Sequence, residues 1–170
     1  MIEMQVMGIA LDTKTGSPIV VLNDKENRKA LPIWIGSAEA SAIIRHIENI
    51  QAPRPMTHDL ICSILESTNH FVEKIEINDV TDGTYYATIF IKNNETKAVH
   101  QIDSRPSDAI SVALRAKASI FVTTKVIADG TISTDQARDE QEAEEFRQFI
   151  QEVKPSDFKN IMDNNEESNQ

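Results

Sequence analysis

The chain has few residues for an aromatic core or a cysteine-based site. Aromatic residues make up 5% of its 170 positions, so the interior must be filled mainly by Ile, Val, Leu and Ala. The single cysteine, Cys62, excludes an internal disulfide and a cysteine-cluster metal site. It falls in an apolar helical run, where a buried, inert thiol is expected. No apolar run approaches the length of a membrane span, and the N-terminus lacks a basic stretch followed by an apolar one. The expectation is a soluble, cytoplasmic protein with no membrane partner. G-x-G-x-x-G, the P-loop, G-x-S-x-G and H-E-x-x-H are all missing. Dinucleotide binding, P-loop chemistry, serine hydrolysis and zinc proteolysis therefore lose their support. His46, His70 and His100 share no zinc-ligand spacing.

Positive charge is also scarce. The formal net charge is −10, unevenly spread: 11 acidic and 4 basic residues lie between Asp135 and Gln170, leaving 16 and 13 for positions 1–134. The body is close to neutral and the tail is acidic. A general polyanion-binding surface is not expected. If nucleic acid binds, it must do so at a local arginine-lined site or through a bridging metal.

What is present is a pair of related runs, Arg54-Pro55-Met56-Thr57-His58-Asp59 and Asp103-Ser104-Arg105-Pro106-Ser107-Asp108. Each puts an arginine and a proline ahead of a hydroxyl residue and an aspartate, and each leads into an apolar stretch of helical spacing. This is the composition of a helix N-terminus: proline at the entry, Thr or Ser as cap, Asp beside the positive end of the dipole. Capping does not account for the arginines. An arginine before proline is held extended, which suits a rigidly presented guanidinium.

Around these runs the chain predicts an α+β fold. Strands are expected over residues 1–11, 18–22, 30–35, 72–80, 85–91, 98–104 and 119–127. Pro32 inside the third predicts an edge or a bulge. Helices are expected over 37–50, with Ala40, Ile43, Ile44 and Ile47 on one face; over 57–68, with Leu60, Ile61, Ile64 and Leu65 on one face; and over 107–117, with Ile110, Ala113 and Leu114 inward. The order strand, hairpin, strand, helix occurs twice. Gly16 and Gly83 stand 67 positions apart, and Glu39-Ala40 and Asp108-Ala109 stand 69 apart. Two duplicated halves with a mixed or antiparallel sheet are therefore expected, linked by the 57–68 helix, with polar groups at helix N-termini converging between them.

The tail differs in kind. Ser133 to Gln136 forms a capping-box pattern, and Asp139 to Val153 predicts an amphipathic helix with Ala143, Phe146, Phe149, Ile150 and Val153 on one stripe. The expected domains are 1–132, a helical extension over 133–162, and a disordered end over 163–170. The stripe would pack on its own body or on a second subunit, so a homodimer or homotrimer is expected.

Several side chains carry both a chemical and a plain reading. Asp59 and Asp108 serve their helix dipoles; with Asp103 and Glu39 they also make a carboxylate set for Mg²⁺ or Mn²⁺. His58 is the histidine beside both an Asp and an Arg, and histidine is the side chain that titrates near neutrality, as a general base must. Arg54 and Arg105 offer forked donors to phosphate, or form a buried clasp, Arg54 to Asp108 or Arg105 to Asp59. Trp34 reads as core or edge packing rather than as a base-stacking platform.

LPIWIGSAEASAI (Leu31–Ile43), RPMTHDL (Arg54–Leu60), DGTYYA (Asp82–Ala87) and DSRPSDAISVALR (Asp103–Arg115), in this order and spacing, resemble the bifunctional nuclease domain family. The resemblance covers about residues 3 to 130. It implies a duplicated α+β fold and, from plant members that cleave RNA and DNA, a nuclease. The expected reaction is phosphodiester hydrolysis, assisted by Mg²⁺ or Mn²⁺. His58, Asp59, Asp108 and Arg105 would be catalytic, and Arg54, Thr57 and Ser107 would bind substrate. Asp59, Asp103, Asp108 and Glu39 would hold the metal. The alternative is a non-catalytic binding or assembly module in which the Arg-Pro runs are a clasp or an anion pocket.

Overall fold

The computed structural model describes residues 1–130 and 132–133. The tail helix, the capping box and the domain boundaries beyond Ser133 lie outside the described residues.

The fold is α+β, built on one mixed sheet in the order β6-β5-β4-β7-β1-β2-β3-β8. A meander of β1 (Ile2–Leu11), β2 (Pro18–Asp24) and β3 (Lys29–Trp34) is followed by helix α1 (Ser37–Ile47). Helix α2 (Thr57–Ser67) leads to a second meander, β4 (His70–Thr81), β5 (Thr84–Asn93) and β6 (Val99–Ser104), followed by α3 (Pro106–Ala116). β7 (Ser119–Val122) lies between the meanders, antiparallel to β1 and parallel to β4. Helix α4 (Thr124–Gly130) and the two-residue β8 (Ile132–Ser133) complete the described fold. The strand-strand-strand-helix order thus occurs twice. Among the described residues, no helix is long and apolar enough to cross a membrane.

Local chemistry explains the elements. Asp82 and Gly83 both have positive φ, 50° and 75°, and join Thr81 to its ladder partner Thr84. Two left-handed residues match the twist of a two-residue hairpin, and glycine adopts this backbone without strain. Pro32 sits in β3 beyond Ala30, where pairing with β8 has ended. The N–H it lacks therefore breaks no ladder on that side.

β2 is buried along its whole length. By the two-residue period of a strand, Val20 and Leu22 enter the main core, while Ile19 and Val21 join Ala10 and Ala30 in a second cluster. In the main core Ile43, Ile75, Ile77, Ile110 and Val122 are fully enclosed. Each such side chain contributes about 1.5–3 kcal/mol of transfer free energy. The aliphatic interior expected from composition is present.

Two expectations need correction. The 119–127 strand ends at Val122, and α4 takes over. After Val122 the next enclosed residues are Val126 and Ile127, four and five positions on, which is helical rather than alternating spacing. The inward side of α2 is also not its most apolar stripe. His58 is buried, and Cys62 and Leu65 pack against the core, while Leu60, Ile61 and Ile64 are exposed. The spacing 58, 62, 65 is as helical as the apolar stripe, and it brings a histidine inside.

Candidate functional site: a shared carboxylate at the helix N-termini

The Arg-Pro sequence sets the geometry at the start of α3. Arg105 is the residue ahead of the helix, with φ −70° and ψ 146°, and Pro106 occupies the first turn. The backbone before Pro106 is extended, and the Arg105 side chain lies against the first turn of α3. There its Nε donates to Asp108 Oδ2 at 2.8 Å and its Nη1 to Glu39 Oε1 at 2.9 Å. The Arg105 side chain is 65% exposed.

Glu39 reaches this position from the first turn of α1 by folding over Gly36. A Cβ built on Gly36 would overlap the Glu39 carboxylate.

The second oxygen of Asp108 belongs to His58. Nε2 of His58 lies 3.0 Å from Asp108 Oδ1, and His58 is 8% exposed. Burial is the largest single influence on the Asp108 carboxyl and pushes its pKa up. The hydrogen bonds from Arg105 and His58 outweigh it and hold the carboxyl below its ordinary value. An ionised carboxylate only accepts, so the hydrogen between the two residues sits on Nε2. In the neutral ring the lone pair is then on Nδ1, which has no hydrogen-bond partner among the described residues.

A second cluster lies behind the first. Asp59, in the first turn of α2, accepts the Met56 N–H on Oδ2 at 2.9 Å and Arg115 Nε on Oδ1 at 2.6 Å. Arg115 also donates from Nη1 to Ser111 O at 3.0 Å and from Nη2 to Ala42 O at 3.1 Å. Its side chain is 9% exposed. One guanidinium therefore ties α3 to both α1 and α2. For Asp59, burial is again the largest influence and raises the pKa, while the Met56 N–H and Arg115 bring the net shift below the ordinary value.

The expected clasps, Arg54 to Asp108 and Arg105 to Asp59, do not form. The clasp that forms is Arg115 with Asp59, the arginine side chain mostly enclosed and the carboxylate 41% exposed. Arg115 closes the DSRPSDAISVALR segment, but no motif reading singled it out. The available signal was its place seven residues, or about two turns, after Asp108 on one face of α3.

The other expected site residues divide. Thr57 is exposed and lines a cavity of about 320 Å³ together with His58, Asp108, Glu39, Arg105 and Arg45. Arg54 is exposed, has no ion pair among the described residues, and lines a cavity of about 480 Å³ with Arg45, His46, Asp59 and Arg115. Ser107 is buried and lines a third cavity of about 430 Å³. Asp103 is exposed on β6 opposite Thr88 and makes no hydrogen bond or ion pair with the others.

The expected metal ligands Asp59, Asp103, Asp108 and Glu39 are not gathered. Among the described residues, no three His, Cys, Asp or Glu are arranged to hold a metal ion. Both oxygens of Asp59 and of Asp108 already face hydrogen-bond donors. The residues as placed do not fit a resident divalent cation.

The three cavities adjoin. Glu39 and Arg105 line both the 430 and the 320 Å³ cavities, and Arg45, Met56 and Arg115 line both the 320 and the 480 Å³ cavities. Together they form a run of concave surface over the helix N-termini with arginines along it. Burial is the main cause lowering the His46 pKa, followed by the charge of Arg115.

The chain is 33% identical over 165 residues to an uncharacterised protein of Mycobacterium tuberculosis, covering 92% of this chain and 98% of that one. It is 25% identical over 117 residues to bifunctional nuclease 1 of Oryza sativa subsp. japonica, and 27% identical over 128 residues to bifunctional nuclease 1 of Arabidopsis thaliana. Those matches cover 68% and 69% of this chain, but only 35% and 39% of the plant proteins. The bifunctional nuclease domain matches residues 20–135, which include every residue of the shared carboxylate cluster, and the chain belongs to that family.

Proposed function

We propose that the concave run binds a nucleic-acid strand and hydrolyses a phosphodiester at the 320 Å³ cavity. The observation that carries this reading is the division of the Asp108 carboxylate between His58 and Arg105. It leaves a buried imidazole with its lone pair on Nδ1, beside a guanidinium that stays largely exposed.

In this reading Arg105 binds the phosphate through Nη2, which makes no hydrogen bond among the described residues, and stabilises the charge that builds up in the transition state. A water molecule loses its proton to His58 Nδ1 as its oxygen bonds to phosphorus. The bond from phosphorus to the leaving sugar oxygen breaks, and that oxygen takes a proton from solvent. Asp108 keeps the imidazole oriented through its contact with Nε2. Arg45 and Arg54, which have no ion pairs among the described residues, bind neighbouring phosphates. A local cationic track of this kind is how a chain of net charge −10 would hold a polyanion.

The test is cleavage of single-stranded DNA and RNA by purified protein, compared with His58→Ala and Arg105→Ala variants that retain their circular dichroism spectra. Loss of about 10²–10⁴-fold in the His58 variant is expected. Full activity in both variants removes the assigned roles.

A second reading is favoured by the Arg115–Asp59 clasp and by the exposed Leu60, Ile61 and Ile64 of α2. In it the protein is a binding or assembly module, a dimer or trimer, whose polar cluster is structural. Oligonucleotide binding without turnover, unchanged in His58→Ala, would select it.

A further inference from the structure

Trp34 was expected in the core or packed at an edge, yet it is 55% exposed at the end of β3. Its ring is not loose. Nε1 donates to Asp12 Oδ2 at 3.0 Å, and the other oxygen of Asp12 accepts the Lys14 and Thr15 N–H groups at 2.9 and 3.3 Å. The β1–β2 turn thus fixes the carboxylate, and the carboxylate fixes the indole. An exposed indole whose N–H is already hydrogen-bonded presents apolar ring surface on which a base can stack.

Its place supplies the second half of the argument. Trp34 lines the 430 Å³ cavity, whose wall also includes Tyr85, Thr84, Ser107, Glu39 and Arg105. That volume falls within the about 300–1,000 Å³ of small-ligand sites. Arg105 and Glu39 are the wall shared with the His58 cavity. An apolar platform, a few hydroxyls and a phosphate-binding guanidinium therefore follow one another along one surface. A purely apolar docking patch would not be bordered by Glu39, Arg105 and Thr84.

We infer that Trp34 is a base-stacking platform, and that the cavity it lines receives the unpaired nucleobase next to the phosphate held by Arg105. A base within a duplex has both faces covered, so the substrate class is single-stranded nucleic acid, or a strand with an extruded base. Stacking accepts any base, so the subsite selects strandedness rather than sequence. This inference rests on the phosphodiester reading of the neighbouring cavity.

Trp34 is the chain's one tryptophan, so intrinsic fluorescence reports on this ring directly. The experiment titrates the full chain with a short oligothymidylate and with a blunt duplex of equal length, following tryptophan emission. Binding is measured independently by the anisotropy of labelled oligonucleotide. The expected result is saturable quenching by the single strand at the concentration where anisotropy rises, with little from the duplex. Trp34→Ala should weaken single-strand binding by about fivefold or more, and Trp34→Phe should restore part of it. Binding seen by anisotropy with unchanged emission, and with equal affinity in Trp34→Ala, overturns the platform and leaves the phosphodiester site standing. No binding of either oligonucleotide overturns both. If Trp34→Ala does not fold, the emission of the unaltered protein still decides the question.

Discussion

His58 and Asp108 stand 50 residues apart in the chain, and their side chains meet at 3.0 Å, joining the first turn of α2 to the first turn of α3. The contact unites the two Arg-Pro runs, although neither arginine bridges them as the sequence suggested. Four consequences can be measured.

Loss of the mostly buried arginine should destabilise the fold more than loss of the exposed one. Arg115→Ala removes donors to Asp59, Ser111 and Ala42 from a side chain that is 9% exposed. It is expected to cost about 2–3 kcal/mol, because three acceptors, among them the carbonyl of the fully buried Ser111, lose a charged donor together. Arg105→Ala acts at a largely exposed pair and is expected to cost less than about 1 kcal/mol. Urea melts of the two variants decide this, and equal costs would contradict the assignment of the clasp to Arg115.

Asp108→Asn tests the orientation of the imidazole. An amide can offer its N–H to His58 Nε2, which moves the ring hydrogen to Nδ1 and removes the base lone pair. Cleavage is expected to fall about as far as in His58→Ala, with a stability loss near 1 kcal/mol. Activity within about twofold of the unaltered protein would show that the tautomer does not matter.

Acid should loosen the site before neutral or mildly alkaline solution does. The Asp59 and Asp108 carboxyls are held below their ordinary pKa. A depressed folded-state pKa contributes stability that is present above the unfolded value, about 4, and is lost as pH falls through the folded value. Unfolding free energy is therefore expected to be level from neutrality down to about pH 4 for these groups and to drop below it. Asp59→Asn should flatten part of that drop. An equal acid slope in the variant would mean that Asp59 is not linked to folding.

Gly36→Ala should separate function from stability. The added methyl displaces the flexible end of Glu39, whose carboxylate lies over Gly36, and Arg105 loses one of its two carboxylate partners. The helix start itself tolerates alanine at a modest cost of about 1 kcal/mol. Oligonucleotide affinity is expected to change severalfold while the melting temperature stays within a few degrees, as read by anisotropy and by thermal denaturation.

What could be read in advance follows from the range of each signal. The starts of α2 and α3 were legible because proline, hydroxyl residue and aspartate act within one turn. Pro32 marked a strand stretch without a partner on its outer side for the same local reason. The partners of the arginines depend on how three helices are arranged on the sheet, which no local rule specifies. So Arg115, a routine last-turn cation in α3, became the clasp, and Arg54, in its loop, has no ion pair among the described residues. The inward side of α2 misled because hydrophobicity outranked His58, whose burial is compensated by Asp108. Asp103 is exposed on β6 opposite Thr88 and makes no hydrogen bond or ion pair with the other three carboxylates' partners among the described residues. For Trp34 the edge alternative fits its place at the end of β3, while the Asp12 acceptor that holds its ring is 22 positions away and beyond any local rule.

The position of β7 bears on how the chain is made. Ile2 pairs with Val122 and Met4 with Ile120, so one flank of the first strand finds its neighbour only after nearly all the described residues have left the ribosome. Until then the first meander emerges with an open hydrogen-bonding flank, available to any stray segment. Completion of the sheet awaits a four-residue segment arriving late, and productive folding during synthesis depends on that brief interval being survived or chaperoned.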